Sequence, residues 1–450
     1  MSQHEHTHAS TNENVANDYK VLLTLEPKII ASFVPEDTAS QKDLFLEGKV
    51  LSPHHTYGKI DAIEFEDNIQ EIDAVKHKIL SSSIDPRHRP VYEQFANRYI
   101  AGTHFLEAVW RYNHATTPEE KQQAAHDYMK LNIEQYGAPE EETYRSLLNE
   151  TLTKISGKNL TGKAAEIREE LFLLTDYNPA NHTPTERFKP SEETIQWMHD
   201  IAEELYGGML SHVPDKAEFS ADEIRRIFGE IIDDELGEAA ADWTVEIEAA
   251  KSINVQPPEK RVVIPENRAN VTRDQLRRLI VHELGVHLLR SVIGGETDLY
   301  PMAISLSEYM DAEEGLGKVM EQALDGKYEE AGIGHYITVG AAYCDGKSFR
   351  EVFEMKWRIA LLEGQDEEEV DSTAIEKARL KAYSQTMRIF RGTDELPWFK
   401  DLSYYNGTMK MWQHLEAIQG DDIKFMFVLM GKIDPSNIAH ERIAYETRTV

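Results

Sequence analysis

The stretch TRDQLRRLIVHELGVHLL, residues 272–289, decides how the rest of the chain is read. Thr272 followed three residues later by Gln275 is a capping-box signature, so a helix starts here. Leu276, Ile280, Glu283 and His287 then fall on one stripe, at i, i+4, i+7 and i+11. A lone carboxylate on a core-facing stripe costs several kcal/mol or takes up a proton, so Glu283 calls for a cleft or a metal. His282, Glu283 and His287 follow the order H-E-x-x-x-H. Two imidazoles and a carboxylate base are the parts of a hydrolytic zinc site, so the expectation is a zinc metallopeptidase. Two core histidines and a helix-face glutamate would give the same letters.

The spacing is unusual. Histidines four apart lie about 40° from alignment on a regular helix, whereas five apart are about 140° off. A π-type turn, with its i to i+5 bonding, restores the alignment. Gly285, between the two histidines, eases such a distortion because it has no Cβ. The sequence therefore predicts a helix irregularity over 283–287. Ring nitrogens more than about 5 Å apart would rule out a shared ion, since zinc–nitrogen bonds are about 2 Å.

A third ligand is expected from the stretch MDAEEGLGKVMEQAL, residues 310–324. Glu313 and Glu314 open this predicted helix, and a carboxylate from a second helix completes a three-ligand site with a fourth position left for water. First-turn acids are also favoured by the helix dipole alone. The residues themselves do not choose between the two glutamates.

The 450 residues are enough for two or three domains. A hydrophobic share of 41% can build a sizeable core, which excludes global disorder. Asp plus Glu number 80 against 48 Lys plus Arg, a formal charge of −32. Such a surface repels nucleic acid and anionic membranes, and it favours solubility. A single cysteine, Cys344, excludes an internal disulfide and a Cys-rich metal site. No apolar run reaches the ~18 residues of a membrane span, and the N-terminus lacks a signal-peptide layout. The expected location is the cytoplasm.

Residues 1–16 read as a flexible polar tail, with His4, His6 and His8 spaced by two. From Tyr19 to about Phe65 the pattern is mixed, with Pro27 and Pro35 interrupting any long helix. From about Tyr92 it becomes helical: Tyr92, Phe95, Ala96, Tyr99 and Ile100 keep helical spacing. Thr117 caps a helix that Gly137 closes, and more helices fit 139–157, 162–174, 191–211 and 220–234. The proline-rich stretch 176–190 is the linker candidate. Alternation at Trp243, Val245 and Ile247, then at Ile253 and Val255, gives way to the β-branched run 261–264. A small sheet thus precedes the 272–289 stretch, and strand 261–264 is expected to offer a free edge. Helices resume at 272–292, 310–325, 334–343, 348–362, 373–388 and 408–419. The fold class is α+β, mainly α. It is expected as a 1–16 tail, a helical region over 17–180, and a zincin-like catalytic domain over 190–450 with its small sheet beside the active-site helix.

HELGVHLLR followed by AEEGLG resembles the HExxxH metallopeptidases that include the microtubule-associated tyrosine carboxypeptidases and their bacterial relatives. Further similar stretches are QYGAPEEE at 135–142, SFREVF at 348–353, MRIFRG at 387–392 and KDLSYYNG at 400–407. The likeness runs from about residue 90 to near 435. It implies one zinc ion on His282, His287 and Glu314, with Glu283 as catalytic base. Glu314 is preferred to Glu313 because the family's Q-E-G-L-A form keeps only the second acid. Gly317 stands where the family usually has alanine. Tyr404 is the candidate oxyanion donor. Arg388 and Arg391 are the candidates for the substrate carboxylate, with Arg278 and Arg290 flanking the metal helix. The implied activity is removal of a C-terminal residue, tyrosine or another aromatic, from a protein or peptide. The charge of −32 argues against microtubule docking. An aminopeptidase, an endopeptidase and a non-catalytic metal-stabilised interaction protein are the alternatives.

Overall fold

Met310–Leu324 and Ser403–Ala417 are two helices that cross with their backbones in contact. A Cβ on Gly315 would collide with the Gly407 carbonyl, and one on Gly407 would collide with the Asp311 carbonyl oxygen. Only glycine at both positions permits this approach. The crossing joins AEEGLG to KDLSYYNG, two stretches far apart in sequence. It brings Tyr404, one turn ahead of Gly407, close to the helix that carries Glu313 and Glu314.

The computed structural model describes residues 14–178, 186–250, 252–364 and 370–447. The helix beginning at Arg273 packs against the first member of this pair. Its start is the expected capping box: Thr272 Oγ1 accepts from the Gln275 amide at 3.3 Å, and Gln275 Oε1 accepts from the Thr272 amide at 2.9 Å. Leu276, Ile280, Val281 and Leu284 are fully buried, facing Ile224, Ile227 and Phe228 of the helix Ala221–Ile231. Ser220 and Glu223 cap that helix in the same reciprocal way.

The sheet that precedes the helix beginning at Arg273 is small. Strands β2 (Thr244–Glu248), β3 (Asn254–Gln256) and β4 (Arg261–Pro265) form it in the order β2-β4-β3. β2 runs parallel to β4 and β3 antiparallel to it, with Val255 opposite Val262. A separate pair, β1 (Glu218–Phe219) with β5 (Val271–Thr272), leads into the helix start. The expectation of a free edge at 261–264 is corrected here, because β4 is the central strand. The physical reason lies in its own residues. Val262, Val263 and Ile264 are at most 2% exposed, a run too apolar for an edge. The strand with a free edge next to the helix that carries His282 and His287 is β3.

Core packing does not follow the sequence order. One apolar cluster holds Ile195 to Leu324 together with Met411 to Leu429, and it contains the apolar face of the helix that carries His282 and His287. A second joins Phe33, Phe45, Phe105, Tyr128, Tyr144 and Leu171 to Tyr336, Phe353, Trp357, Phe390 and Trp398. A third sets Tyr19, Ile72, Tyr92 and Phe95 against Leu299, Met302, Met430 and Ile433. The N-terminal helices therefore share their cores with the C-terminal ones. Two family-like stretches serve this packing. Arg350 of SFREVF lies over the Phe45 ring and donates to the carbonyls of Phe45 and Val50. Tyr136 of QYGAPEEE packs edge-on against Trp398, and the Glu140 amide donates to the Tyr336 hydroxyl at 2.8 Å.

Most predicted helices are present, including Pro118–Tyr136 with its Thr117 cap and Gly137 at φ +73°. Ser403–Ala417 starts earlier than the expected 408, and Arg89–His114 is continuous through 26 residues. Helices at 14–24, Phe65–Ser81 and Ile438–Thr447 are additional. His4, His6 and His8 lie outside the described residues, as does the middle of the 176–190 linker, and residues 14–16 of the expected tail are helical. Among the described residues no helix is long and apolar enough to cross a membrane.

Candidate metal centre

The helix widens into a π-helix over Ile280–Leu288, which spans the expected irregularity. The added residue per turn brings His282 and His287 side by side, ring centroids 4.7 Å apart and planes at 84°. Gly285 is required here for a second reason beyond the distortion. Its bare backbone receives the ring of Tyr206, whose Cε1 would lie 2.5 Å from an added Cβ. The Tyr206 hydroxyl donates to the Gly285 carbonyl at 3.2 Å, which supplies a partner within the widened turn.

His282, His287 and Glu314 each offer one ligand atom, and these atoms lie within 4.8 Å of one another. Donors about 2 Å from one ion sit roughly 3–4 Å apart, so small side-chain rotations close the triad. His282 is buried and the other two are half-buried. Two imidazoles with one carboxylate are the donor set of a catalytic zinc site with an open position.

Each imidazole is oriented by a carboxylate behind it. His282 Nδ1 lies 2.6 Å from Glu321, and His287 Nδ1 lies 2.8 Å from Glu313. Both Nε2 atoms are thereby left to face an ion, the carboxylate–histidine arrangement that fixes tautomer and raises ligand basicity. The two glutamates that the sequence could not separate thus have different positions: Glu314 joins the triad and Glu313 stands behind His287. Glu313 is also paired with Arg290 and Lys432, all three nearly buried. Burial opposes its charge, but Lys432, Arg290 and His287 outweigh it and hold the carboxyl well below its usual range. Burial likewise pulls His282 down, but the Glu321 hydrogen bond and the charges of Glu283 and Glu321 shift it upward overall. Lys318 in turn holds Glu321, at 2.8 Å.

The face of the His282 ring rests on Gly317, where an added Cβ would lie 2.6 Å from Cε1. Alanine, the family's usual residue there, requires the ring to move. Removing the carboxylate at 321 tests the orienting role: Glu321→Ala is expected to weaken zinc affinity about 10–100-fold, read by competition with a chromophoric chelator. Unchanged affinity would mean that Glu321 does not orient the ring.

Glu283 is 9% exposed and lies on the same π-helix. Burial raises its carboxyl above the usual range, with Glu314 and Glu321 adding to the rise and the two histidines opposing it. Arg268, on the loop between β4 and β5, is within electrostatic reach of Glu283.

The other sequence-selected residues form a second group. Arg388 is paired with Asp401 and donates to the Tyr404 hydroxyl at 3.0 Å. Burial opposes the Arg388 charge, but Asp401 and Tyr404 more than offset it. His335 lies against the Tyr404 ring, centroids 5.3 Å apart, and burial drives its imidazole down to about 4. Arg391 sits over the Trp398 ring at 4.5 Å. Arg278 is paired with Asp325 and Arg290 with Glu313, so neither flanking arginine is free for a substrate. Glu321, Lys432 and Lys400 were not selected from sequence. Glu321 had a legible signal, since positions 314, 317 and 321 fall on one helix face.

The profile of the microtubule-associated tyrosine carboxypeptidase family matches residues 179–446. A comparison with curated proteins found no match. The matched span contains the π-helix, the AEEGLG helix and the KDLSYYNG helix, which together hold the triad, Glu283 and Tyr404. It covers more than half of the sequence, and the chain belongs to the microtubule-associated tyrosine carboxypeptidase family.

Proposed function

We propose that this chain is a zinc-dependent metallocarboxypeptidase that removes a C-terminal residue, tyrosine or another aromatic, from a protein or peptide. The observation that carries the reading is the convergence within 4.8 Å of Glu314 with His282 and His287, the two histidines lying on a helix widened where their spacing demands it.

His282 and His287 would hold the ion through Nε2, and Glu314 would do so through its carboxylate. When bound, zinc supplies Lewis acidity to the scissile carbonyl and lowers the pKa of water. Glu283 takes the proton of the attacking water and passes it to the leaving amine. Because Arg388 donates to the Tyr404 oxygen, the Tyr404 proton remains available for the developing oxyanion. Arg388 and Arg391 add positive charge on the side of Tyr404. The microtubule partner in the family's description is not carried over, because a charge of −32 repels an acidic polymer.

The test is residue release from a peptide library with varied C-terminal positions, together with metal content. The purified protein is expected to contain about one zinc, to release C-terminal aromatic residues, and to lose turnover on chelation and regain it with zinc. Release only from N-termini, or only internal cleavage, would replace this reading by an aminopeptidase or an endopeptidase. No cleavage of any peptide would leave a metal-stabilised interaction protein.

A further inference from the structure

Cations near the candidate centre are nearly all committed. Arg388 is paired with Asp401, Arg290 and Lys432 with Glu313, Lys318 with Glu321, and Lys410 with Asp434. Lys356 donates to the Gly334 carbonyl. Lys400 differs. It lies on the short turn Phe399–Leu402 and is 7% exposed. Among the described residues no carboxylate comes within ion-pair distance of its ammonium and no hydrogen bond closes on it. Its Nζ stands 5.7 Å from the centre of the Tyr404 ring. After burial, Lys400 has the strongest electrostatic effect on Glu314, and it also acts on Asp311, Asp401 and His335.

An almost buried ammonium without a counter-ion is costly, and such a position is retained where an anion arrives to pair with it. The place is set by two neighbours. One is Tyr404, over whose ring the ammonium stands and whose hydroxyl is held by Arg388, and the other is Glu314, a member of the triad within electrostatic reach of Lys400. Arg391, stacked on Trp398 with its Nε unpartnered, acts on Tyr404 as a further positive charge.

We propose that the Lys400 ammonium binds the free α-carboxylate of the substrate's last residue, which makes the centre selective for a chain end over an internal bond. The proposal rests on the peptidase reading above. It assigns to Lys400 the anchoring role expected from sequence for Arg388, whose guanidinium is already engaged by Asp401 and Tyr404.

The test compares one decapeptide ending in tyrosine, as free acid and as C-terminal amide, on wild type, Lys400→Met and Lys400→Arg. Wild type is expected to favour the acid by about 10–100-fold in kcat/KM, the scale of a charge-assisted hydrogen bond in a dry site. Lys400→Met should lose that preference through a higher KM for the acid, with kcat/KM on the amide changing far less than on the acid and zinc content retained. Lys400→Arg should recover part of it. Binding of the same two peptides to the Glu283→Gln background by calorimetry gives a readout without turnover. A Lys400→Met protein that still prefers the acid, in KM or in binding, overturns the proposal. An equal fall in kcat on acid and amide also overturns it, because Lys400 would then act on the reacting carbonyl. A wild type that cleaves neither peptide defeats the peptidase reading, and the calorimetric comparison still decides the Lys400 assignment.

Discussion

Glu283→Gln is expected to lower kcat/KM about 10²–10⁴-fold, the usual contribution of a positioned acid–base group. At 1.36 kcal/mol per tenfold, this raises the barrier by roughly 3–5 kcal/mol. Glutamine matches the glutamate in shape and cannot take a proton. It leaves His282, His287 and Glu314 in place, so bound zinc should stay at the wild-type level. The site makes this group well suited to the work. It is 9% exposed, its carboxyl is raised by burial, and it sits on the same wide turn that aligns the histidines. Single-turnover rates and metal content measured on the same sample check both halves. Activity within about tenfold of wild type would remove Glu283 from the base role.

Arg290→Met is expected to be the most destabilising single change near the centre. Arg290 is fully buried, pairs with Glu313, and donates to the Ile433 carbonyl at 2.6 Å. Its removal leaves a buried carboxylate with less of its counter-charge, a change that costs about 3–5 kcal/mol. Lys432 still faces Glu313 and should keep the loss from exceeding that range. Zinc affinity should fall as well, because Glu313 orients His287. The midpoint of urea unfolding and the zinc affinity are the two measurements. A midpoint unchanged from wild type would show that Lys432 alone satisfies Glu313. In contrast, Glu283→Gln should leave the unfolding midpoint close to wild type, so the two variants separate chemistry from stability.

Much of the centre was legible because it is local. Thr272 and Gln275 cap each other within one turn, and the five-residue histidine spacing leaves few options besides a widened helix. The choice between Glu313 and Glu314 was not local. Adjacent helical residues point about 100° apart, and only the packing of Met310–Leu324 on the π-helix decides which of them meets the triad. Lys400 escaped notice for a related reason. The letters FKDL do not show that this lysine is covered; the packing of its turn against Pro118–Tyr136, Ile333–Tyr343 and Ser403–Ala417 does. Strand 261–264 was read as an edge because a β-branched run gives a strand but not its neighbours, and β2 and β3 cover both of its sides. The helix Phe65–Ser81 could have been read from Phe65, Ile69, Ile72, Val75 and Ile79, whose spacing is helical. The shared cores were not readable, since nothing in Phe33 or Phe105 announces a partner at Trp398.

That sharing separates two kinds of unit. The family match begins at residue 179, yet Tyr336, Phe353 and Trp398 bury themselves against side chains that precede it. The span that the family profile matches is therefore smaller than the span that packs together. During synthesis the first half of the chain leaves the ribosome before the C-terminal helices that complete this core exist. Apolar surface uncovered for that long is prone to aggregate.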